Sequence, residues 1–177
     1  KLDLAMSDSV APEMVYLYRN ISTIGTLSFT ANTTIALSSG TGNSFGVTAG
    51  DLDNDGRPDL AFVTDDTAQI AVCRNLSVSG SIMFSTQTNF AIPSGSYTVA
   101  MGDIDGDGKL DMLAALASTA NVAVLRNTSS GVGDISFAST LNLTNGSNTS
   151  YSVALGDFNG DNKLDIVAGN FNDSSIS

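Results

Sequence analysis

Three short acidic segments carry the side chains in this sequence that are best suited to bind a metal ion. Each has an oxygen-bearing side chain at positions 1, 3, 5 and 9, and a Gly or Asn at position 6 that allows a sharp turn. When the chain turns there, these side chains and the main-chain carbonyl at position 7 converge on one point. The segments are Asp51 to Asp59, Asp103 to Asp111 and Asp157 to Asp165.

A set of ligands made only of oxygen favours a hard cation. Ca2+ accepts six to eight oxygens in a flexible arrangement, whereas Mg2+ retains its water molecules and Zn2+ prefers nitrogen or sulfur ligands, which these loops lack. The sequence therefore predicts about three Ca2+ sites, one in each loop. The predicted ligands are Asp51, Asp53, Asp55, the Arg57 carbonyl and Asp59 in the first loop; Asp103, Asp105, Asp107, the Lys109 carbonyl and Asp111 in the second; and Asp157, Asn159, Asp161, the Lys163 carbonyl and Asp165 in the third.

Other interpretations of the acidic loops fit less well. An EF-hand loop shares the first six positions, but it ends with a bidentate Glu at position 12 between two helices. Position 12 here is Phe62, Ala114 or Ala168, and the segments around these residues are short apolar runs typical of strands. Solvated Asp-Gly turns would explain one such loop but not the same spacing in three. A catalytic metal would need an open coordination position and a base, and the chain has no histidine.

The charge of the chain follows from the same loops. Eleven of the eighteen acidic residues occupy predicted ligand positions, so three Ca2+ ions, which carry six positive charges, would reduce the net charge from -11 to -5. The seven Lys and Arg residues form no cluster, which argues against a nucleic-acid partner. No apolar run is long enough to insert into a membrane. The one cysteine, Cys73, cannot form a disulfide within this chain and is expected to be a buried apolar residue.

The loops belong to a repeat. They begin at 51, 103 and 157, in steps of 52 and 54 residues, and each follows an aromatic-led apolar segment. A second apolar segment follows each loop, then a third that ends in Arg-Asn, and then a fourth. We predict first strands at 45–50, 97–102 and 151–156, third strands at 15–20, 70–75 and 122–127, and fourth strands around 27–29, 82–84 and 135–137.

Four short strands in each repeat, with no helical periodicity, are the length and content of a propeller blade. The predicted fold class is all-β, a β-propeller-like array of four-stranded antiparallel blades with about three blade-equivalents. The predicted divisions are a partial blade and connection at 1–44, complete blades at 45–96 and 97–150, and a partial blade at 151–177. Because Lys1-Leu2-Asp3 aligns with the end of the third loop, Asp3 is expected to be the last ligand of a loop that lies upstream.

The repeats resemble the FG-GAP or VCBS-type repeats, the blades found in integrin α-subunit propellers. The resemblance covers nearly the whole chain, and the segments 99–111 and 122–131 are especially similar to those of secreted bacterial members. It implies a β-propeller with Ca2+ in the loop between the first and second strands of each blade. The chain departs from the family pattern at Asn159, which lowers the charge of the ligands. It also departs at Tyr97-Thr98 and Tyr151-Ser152, which replace the Phe-Gly lead present at Phe45-Gly46.

The resemblance implies an extracellular or cell-surface module that binds an unknown protein or glycan partner, or copies of itself. We therefore expect a non-enzymatic calcium-binding repeat that serves adhesion, partner binding or surface assembly, with no catalytic residue. One alternative is a structural subunit of a self-assembling fibre that calcium makes rigid. A second is an accessory domain of a secreted polysaccharide-active enzyme. Glycosylation is also open, since Asn-x-Ser/Thr triplets begin at Asn20, Asn32, Asn75, Asn127, Asn142, Asn145, Asn148 and Asn172.

Overall fold

Every regular element in the described part of the chain is a β-strand. The computed structural model describes residues 3–8, 14–36, 44–64, 67–116, 121–144, 149–170 and 176. The strands are β1 (Leu4–Ser7), β2 (Met14–Asn20), β3 (Phe29–Ala36), β4 (Ser44–Gly50), β5 (Asp59–Thr64), β6 (Gln69–Cys73), β7 (Thr88–Ala91), β8 (Ser96–Gly102), β9 (Asp111–Leu116), β10 (Asn121–Leu125), β11 (Leu141–Thr144), β12 (Ser150–Gly156) and β13 (Asp165–Asn170).

The strands form four antiparallel sheets in chain order, which we call units 1 to 4. Unit 1 is β1-β2-β3, unit 2 is β4-β5-β6-β7, unit 3 is β8-β9-β10-β11, and unit 4 is β12-β13. Each strand pairs with its neighbour in sequence, so the units are built from successive hairpins. The all-β fold with propeller-like, four-stranded antiparallel sheets is therefore confirmed. Among the described residues there is no helix that could span a membrane.

The acidic loops connect the first two strands of units 2, 3 and 4. In each unit the loop is closed by a pair of facing residues, a Gly at the end of the first strand and the position-9 Asp at the start of the second. These pairs are Gly50 with Asp59, Gly102 with Asp111, and Gly156 with Asp165. The fixed register of each hairpin thus brings the two ends of the loop together.

The units stack through their first strands, since β4 packs against β8 and β8 packs against β12. Glycine allows the closest approach: a Cβ at Gly46 would lie 2.9 Å from both Thr98 Cα and Tyr97 O. The leading aromatic rings also meet across the units. The ring centroids of Tyr97 and Tyr151 are 4.3 Å apart in a stacked pair, and Phe45 meets Tyr97 edge to face at 5.0 Å.

The core lies between the units. The second strands β5 and β9 are buried at all six positions, because each has a neighbouring sheet on both faces. Phe62 and Cys73 pack with Val15 of unit 1, while Val63 on the opposite face of β5 packs with Met112 of unit 3. Burial on both faces explains why these strands show no apolar and polar alternation in the sequence. Cys73 is a buried apolar residue, as expected.

The predicted fourth strands are wrong in position. Residues 82–84 and 135–137 lie in the connections between third and fourth strands, where each segment makes one isolated bridge, and residue 29 alone of 27–29 belongs to β3. The regular fourth strands begin later in units 2 and 3, at Thr88 and Leu141. The apolar side chains of these connections pack against the core clusters between units. Their apolar sequence pattern therefore reflects burial and not strand pairing.

Candidate metal centre

Two of the acidic loops bring three carboxylates together. In unit 2, one carboxylate oxygen from each of the residues at positions 1, 3 and 9 lies within 4.8 Å of the other two, and the same is true in unit 3. The two groupings are Asp51, Asp53 and Asp59, and Asp103, Asp105 and Asp111. The loop of unit 4 shows no such grouping among the described residues, since Asn159 stands at position 3.

The position-1 aspartate holds the turn of each loop. In unit 2, Asp51 accepts hydrogen bonds from the main-chain N–H groups of Asp55 (3.0 Å) and Gly56 (2.7 Å). The corresponding bonds recur in units 3 and 4. The turn uses left-handed backbone at position 4 as well as at the predicted position 6, as Asn54 (φ 56°) and Gly56 (φ 85°) show. Two residues of this kind fold the loop back on itself and direct its side chains inward.

The position-9 aspartate ties the loop to the third strand of the same unit. Asp59 accepts one N–H from Leu52 (2.9 Å) inside the loop and one from Asn75 (2.7 Å) just after β6. Asp111 has the same two kinds of donor. Burial raises the pKa of Asp59 and of Asp111, although these hydrogen bonds oppose the shift. Asp3 accepts the equivalent N–H from Asn20 (2.7 Å), which agrees with its alignment to position 9.

The carboxylates at positions 3 and 5 are joined by an arginine from the end of the third strand. Arg74 donates from Nε to Asp53 and from Nη2 to Asp55 (2.9 Å). Asp53 is buried, which favours a higher pKa, but its hydrogen bonds and the Arg74 charge outweigh burial and hold the pKa below its usual range. The position-5 carboxylate is paired with arginine and does not belong to the three-carboxylate grouping.

Unit 3 repeats this arrangement with Arg126, which donates to Asp105 and, at 2.9 Å, to Asp107. The hydrogen bond from Arg126 lowers the pKa of Asp105. The sequence analysis missed both arginines as parts of the loops. The sequence does contain a signal for them, because an Arg-Asn pair recurs at the same place in successive repeats. The sequence analysis interpreted this pair only as the end of a strand.

The asparagine of the Arg-Asn pair is structural in units 2 and 3. Its Nδ2 group donates to the carbonyl of loop position 8, from Asn75 to Pro58 (2.8 Å) and from Asn127 to Leu110 (2.9 Å). Both asparagines are buried, so neither side chain can carry a glycan in the folded chain. The triplets at 145, 148 and 172 begin outside the described residues.

The side chains at position 7 make hydrogen bonds to protein groups, apart from the predicted role of the main-chain carbonyl. Arg57 pairs with Asp55 and donates from Nε to the carbonyl of Asn75 (3.1 Å), and Lys109 donates from Nζ to the carbonyl of Ser129 (2.8 Å). Only the main-chain carbonyls of position 7 were predicted as ligands, and that role stays a prediction. The same holds for Lys163.

The chemistry of the donor set fits calcium. Each loop of units 2 and 3 offers four carboxylates against two cationic side chains, and the grouped donors are all oxygen. Each carboxylate oxygen has two lone pairs, so an oxygen that accepts one N–H keeps capacity for a cation. A hard divalent ion would also offset the negative charge that remains in the loop.

Comparison with known families places these loops in a repeat. A sequence profile described as an FG-GAP-like repeat matches residues 1–62, 55–114 and 114–168. The chain belongs to the FG-GAP-like repeat family. Each matched FG-GAP-like segment ends at position 12 of an acidic loop, inside β5, β9 or β13, so the loops occupy the same place in successive FG-GAP-like repeats. No curated protein matches the chain significantly.

Proposed function

We propose that the chain is an extracellular calcium-binding repeat module that serves adhesion, partner binding or surface assembly and has no catalytic role. The observation that carries the proposal is the three-carboxylate grouping at positions 1, 3 and 9, which recurs in two successive units. Coincidental clustering of acidic residues does not account for the same three positions in two units, with positions 1 and 9 held by the same main-chain hydrogen bonds.

Calcium in such a loop would clamp three strands of one unit. The loop joins the first and second strands, and the position-9 carboxylate is bonded to the residue after the third strand, Asn75 in unit 2 and Asn127 in unit 3. The ion supplies the charge that allows the loop carboxylates to lie close together. The protein supplies the geometry, because the turn and the arginine hold the carboxylates in place before an ion arrives.

The proposed extracellular location would suit sites with the affinity of other extracellular calcium modules. Extracellular calcium modules bind with dissociation constants of about 0.1–1 mM, which gives substantial occupancy only where calcium is millimolar. At roughly 2 mM calcium, linkage then contributes about 0.6–1.8 kcal/mol per site to the free energy of unfolding. Several sites of this strength together are a large share of the stability of an ordinary domain.

The non-catalytic assignment rests on the residues around the ion site. The chain has no histidine, and both carboxylate oxygens of Asp59 and of Asp111 accept main-chain N–H groups. These carboxylates are tied into the fold and are poor candidates for general bases. The proposed role is therefore to stabilise a surface that contacts an unidentified protein, a glycan or another copy of the chain.

The test is a thermal melt with a size-exclusion profile, in a few millimolar CaCl2 and in EDTA, with MgCl2 as the cation control. We expect calcium to raise the melting temperature of the wild type, with a smaller rise for Asp51→Asn/Asp103→Asn. Asp8→Asn removes the same type of charge just after β1 of unit 1, outside the loops of units 2 to 4, and should respond as the wild type does. A calcium-dependent high-mass species would select the self-assembling alternative, and no response to calcium would refute the proposal.

A further inference from the structure

The acidic loop of unit 2 is covered by unit 3. The covering segment is residues 126–140, the connection between β10 and β11, which we call the unit 3 connection. Gly133 in this connection donates its N–H to Asp53 Oδ2 at 2.7 Å, across 80 residues of sequence. Gly133 also lies beside Arg74, since a Cβ at this glycine would be 3.8 Å from Nη1. With the connection on one side and the paired side chains of Arg57 and Arg74 on the other, the side chains of Asp53 and Asp55 are only 0% and 3% exposed.

The acidic loop of unit 3 has the same ligand pattern, and unit 4, of which β12 and β13 are described, places no equivalent connection over it among the described residues. It has Asp at positions 1, 3, 5 and 9, a cationic residue at position 7 and an arginine from the third strand, as in unit 2. Its Asp105 and Asp107 side chains are nevertheless 36% and 27% exposed. In the described part of the chain, the hydrogen bonds to the Asp105 carboxylate come from Arg126 and from its own loop. Two contacts thus distinguish the loop of unit 2 among the described residues: the N–H of Gly133 on Asp53, and the pairing of Arg57 with Asp55, where Lys109 bonds to Ser129 instead.

We propose that the unit 3 connection is part of the calcium site of unit 2, so that ion binding in the loop 51–59 and docking of unit 3 on unit 2 stabilise each other. This inference rests on the proposed calcium function. Gly133 fixes one oxygen of Asp53 and so orients the carboxylate before the ion binds, which lowers the ordering cost of binding. The cover also excludes water, and charges attract more strongly where water is excluded.

Two consequences follow from this coupling. Because coupling between sites is reciprocal, calcium bound in the loop 51–59 stabilises the closed position of the unit 3 connection. It does so although the connection supplies no ligand to the ion. Conversely, loss of the contact with the connection weakens calcium binding in the loop 51–59, by about fivefold or more, the usual lower range of coupling between sites.

In a simpler explanation, calcium in the loop 103–111 of unit 3 itself stabilises the unit 3 connection. Lys109, in the loop 103–111, donates from Nζ to the carbonyl of Ser129 in the connection. If this contact dominated, calcium in the loop of unit 3 would control the connection, and the loop of unit 2 would not. The two accounts therefore assign protection of the same segment to different loops.

Hydrogen–deuterium exchange of the intact chain during a CaCl2 titration separates them. We expect calcium to slow exchange of peptides that cover 130–137 in the wild type, with the same midpoint as the loop 51–59. Asp53→Asn, which preserves the shape of the side chain, should abolish this protection. Asp105→Asn, the matched change in the loop of unit 3, should leave it in place. Retained protection in Asp53→Asn, or its loss only in Asp105→Asn, would overturn the inference.

A second pair of variants avoids changing any ligand. Gly133→Ala places a side chain at φ +90° and disturbs the N–H that contacts Asp53, while Gly131→Ala strains the same connection at φ +146° with nothing within 4 Å. We expect Gly133→Ala to raise the calcium midpoint of the loop 51–59 about fivefold or more and to leave that of 103–111 unchanged. Gly131→Ala should change neither midpoint, and equal effects of the two variants would contradict the coupling.

The same titration distinguishes failure of the inference from failure of the proposed function. If calcium slows exchange in both loops but not in 130–137, the chain binds calcium and the coupling between units is wrong. If calcium slows exchange nowhere, the calcium function itself is refuted, and the inference with it.

Discussion

The side-chain amide of Asn127 in unit 3 donates a 2.9 Å hydrogen bond to the main-chain carbonyl of Leu52 in unit 2, 75 residues earlier in the chain. The same Nδ2 group donates to Leu110, in the acidic loop of its own unit. One buried amide therefore bridges two successive loops. This bridge, like the cover over Asp53, makes the loop of one unit part of the interface with the next.

The first prediction concerns this bridge. Asn127→Ala removes the donor from the buried carbonyl of Leu52 and the part-buried carbonyl of Leu110, and it should lower the free energy of unfolding by about 1–3 kcal/mol. Asn75→Ala is the matched control, because Asn75 occupies the equivalent position and accepts an equivalent N–H, but within the described part of the chain its amide donates to Pro58 alone. Urea denaturation in EDTA should show the larger loss for Asn127→Ala. Equal losses would mean that the bond to Leu52 contributes nothing to stability.

The second prediction concerns the close approach of units 2 and 3. A Cβ at Gly46 would lie 2.9 Å from backbone atoms of unit 3, whereas a Cβ at Gly50 would meet the side-chain ends of Leu110 (2.6 Å) and Met101 (2.8 Å). Side-chain ends can rotate away, but paired backbone cannot. We expect Gly46→Ala to cost about 1–3 kcal/mol and Gly50→Ala clearly less, as measured by urea denaturation. The opposite order would show that the first strands can separate easily.

Much of the fold could be predicted from the sequence because the loops and the strands beside them are local. The aromatic-led strand, the acidic loop and the apolar strand after it form one hairpin, and its ends meet at Gly50 and Asp59. The fold class and the loop positions could therefore be predicted from the spacing of the carboxylates, their turn residues and the repeat length. The convergence of positions 1, 3 and 9 is the part of the site that this local pattern predicted.

The rest depends on contacts between distant segments. The apolar pattern at 135–137 suggested a strand, but Ile135 and Phe137 are apolar because they pack against the core between units 2 and 3. Likewise, nothing in the loop 51–59 itself indicates that Arg74 or Gly133 contacts it, since both lie in other hairpins. Contacts across the stack of units follow from the fold and not from local periodicity.

The third prediction adds a ligand charge to the loop of unit 4. Asn159→Asp gives position 3 a carboxylate, as in units 2 and 3, and should strengthen calcium binding by about 1–2 kcal/mol, roughly 5- to 30-fold. Asn162→Asp adds the same charge at position 6 of the same loop, where the backbone is left-handed and the side chain is no predicted ligand. Calorimetric titration with CaCl2 should show the gain for Asn159→Asp. A similar gain in both variants would mean that general acidity, and not ligand position, sets the affinity.

The fourth prediction concerns the pH dependence of stability through Cys73. This thiol is buried in the core between units 1 and 2, and burial raises its pKa from 9.0 to about 11. The folded state therefore keeps the proton at a pH at which the unfolded state loses it. The contribution of the thiol to stability is fully present below about pH 9 and is lost as the pH rises towards 11.

Comparison with Cys73→Ala isolates this contribution, because the two proteins carry the same ionisable groups apart from this thiol. The wild type should be the more stable protein at pH 8, since the substitution leaves a small cavity in the core. Its advantage should shrink between pH 9 and pH 11 as the unfolded thiol ionises. Urea denaturation across this range measures the difference. A constant advantage would mean that the folded thiol ionises at the same pH as the unfolded one, and that the core around Cys73 admits water.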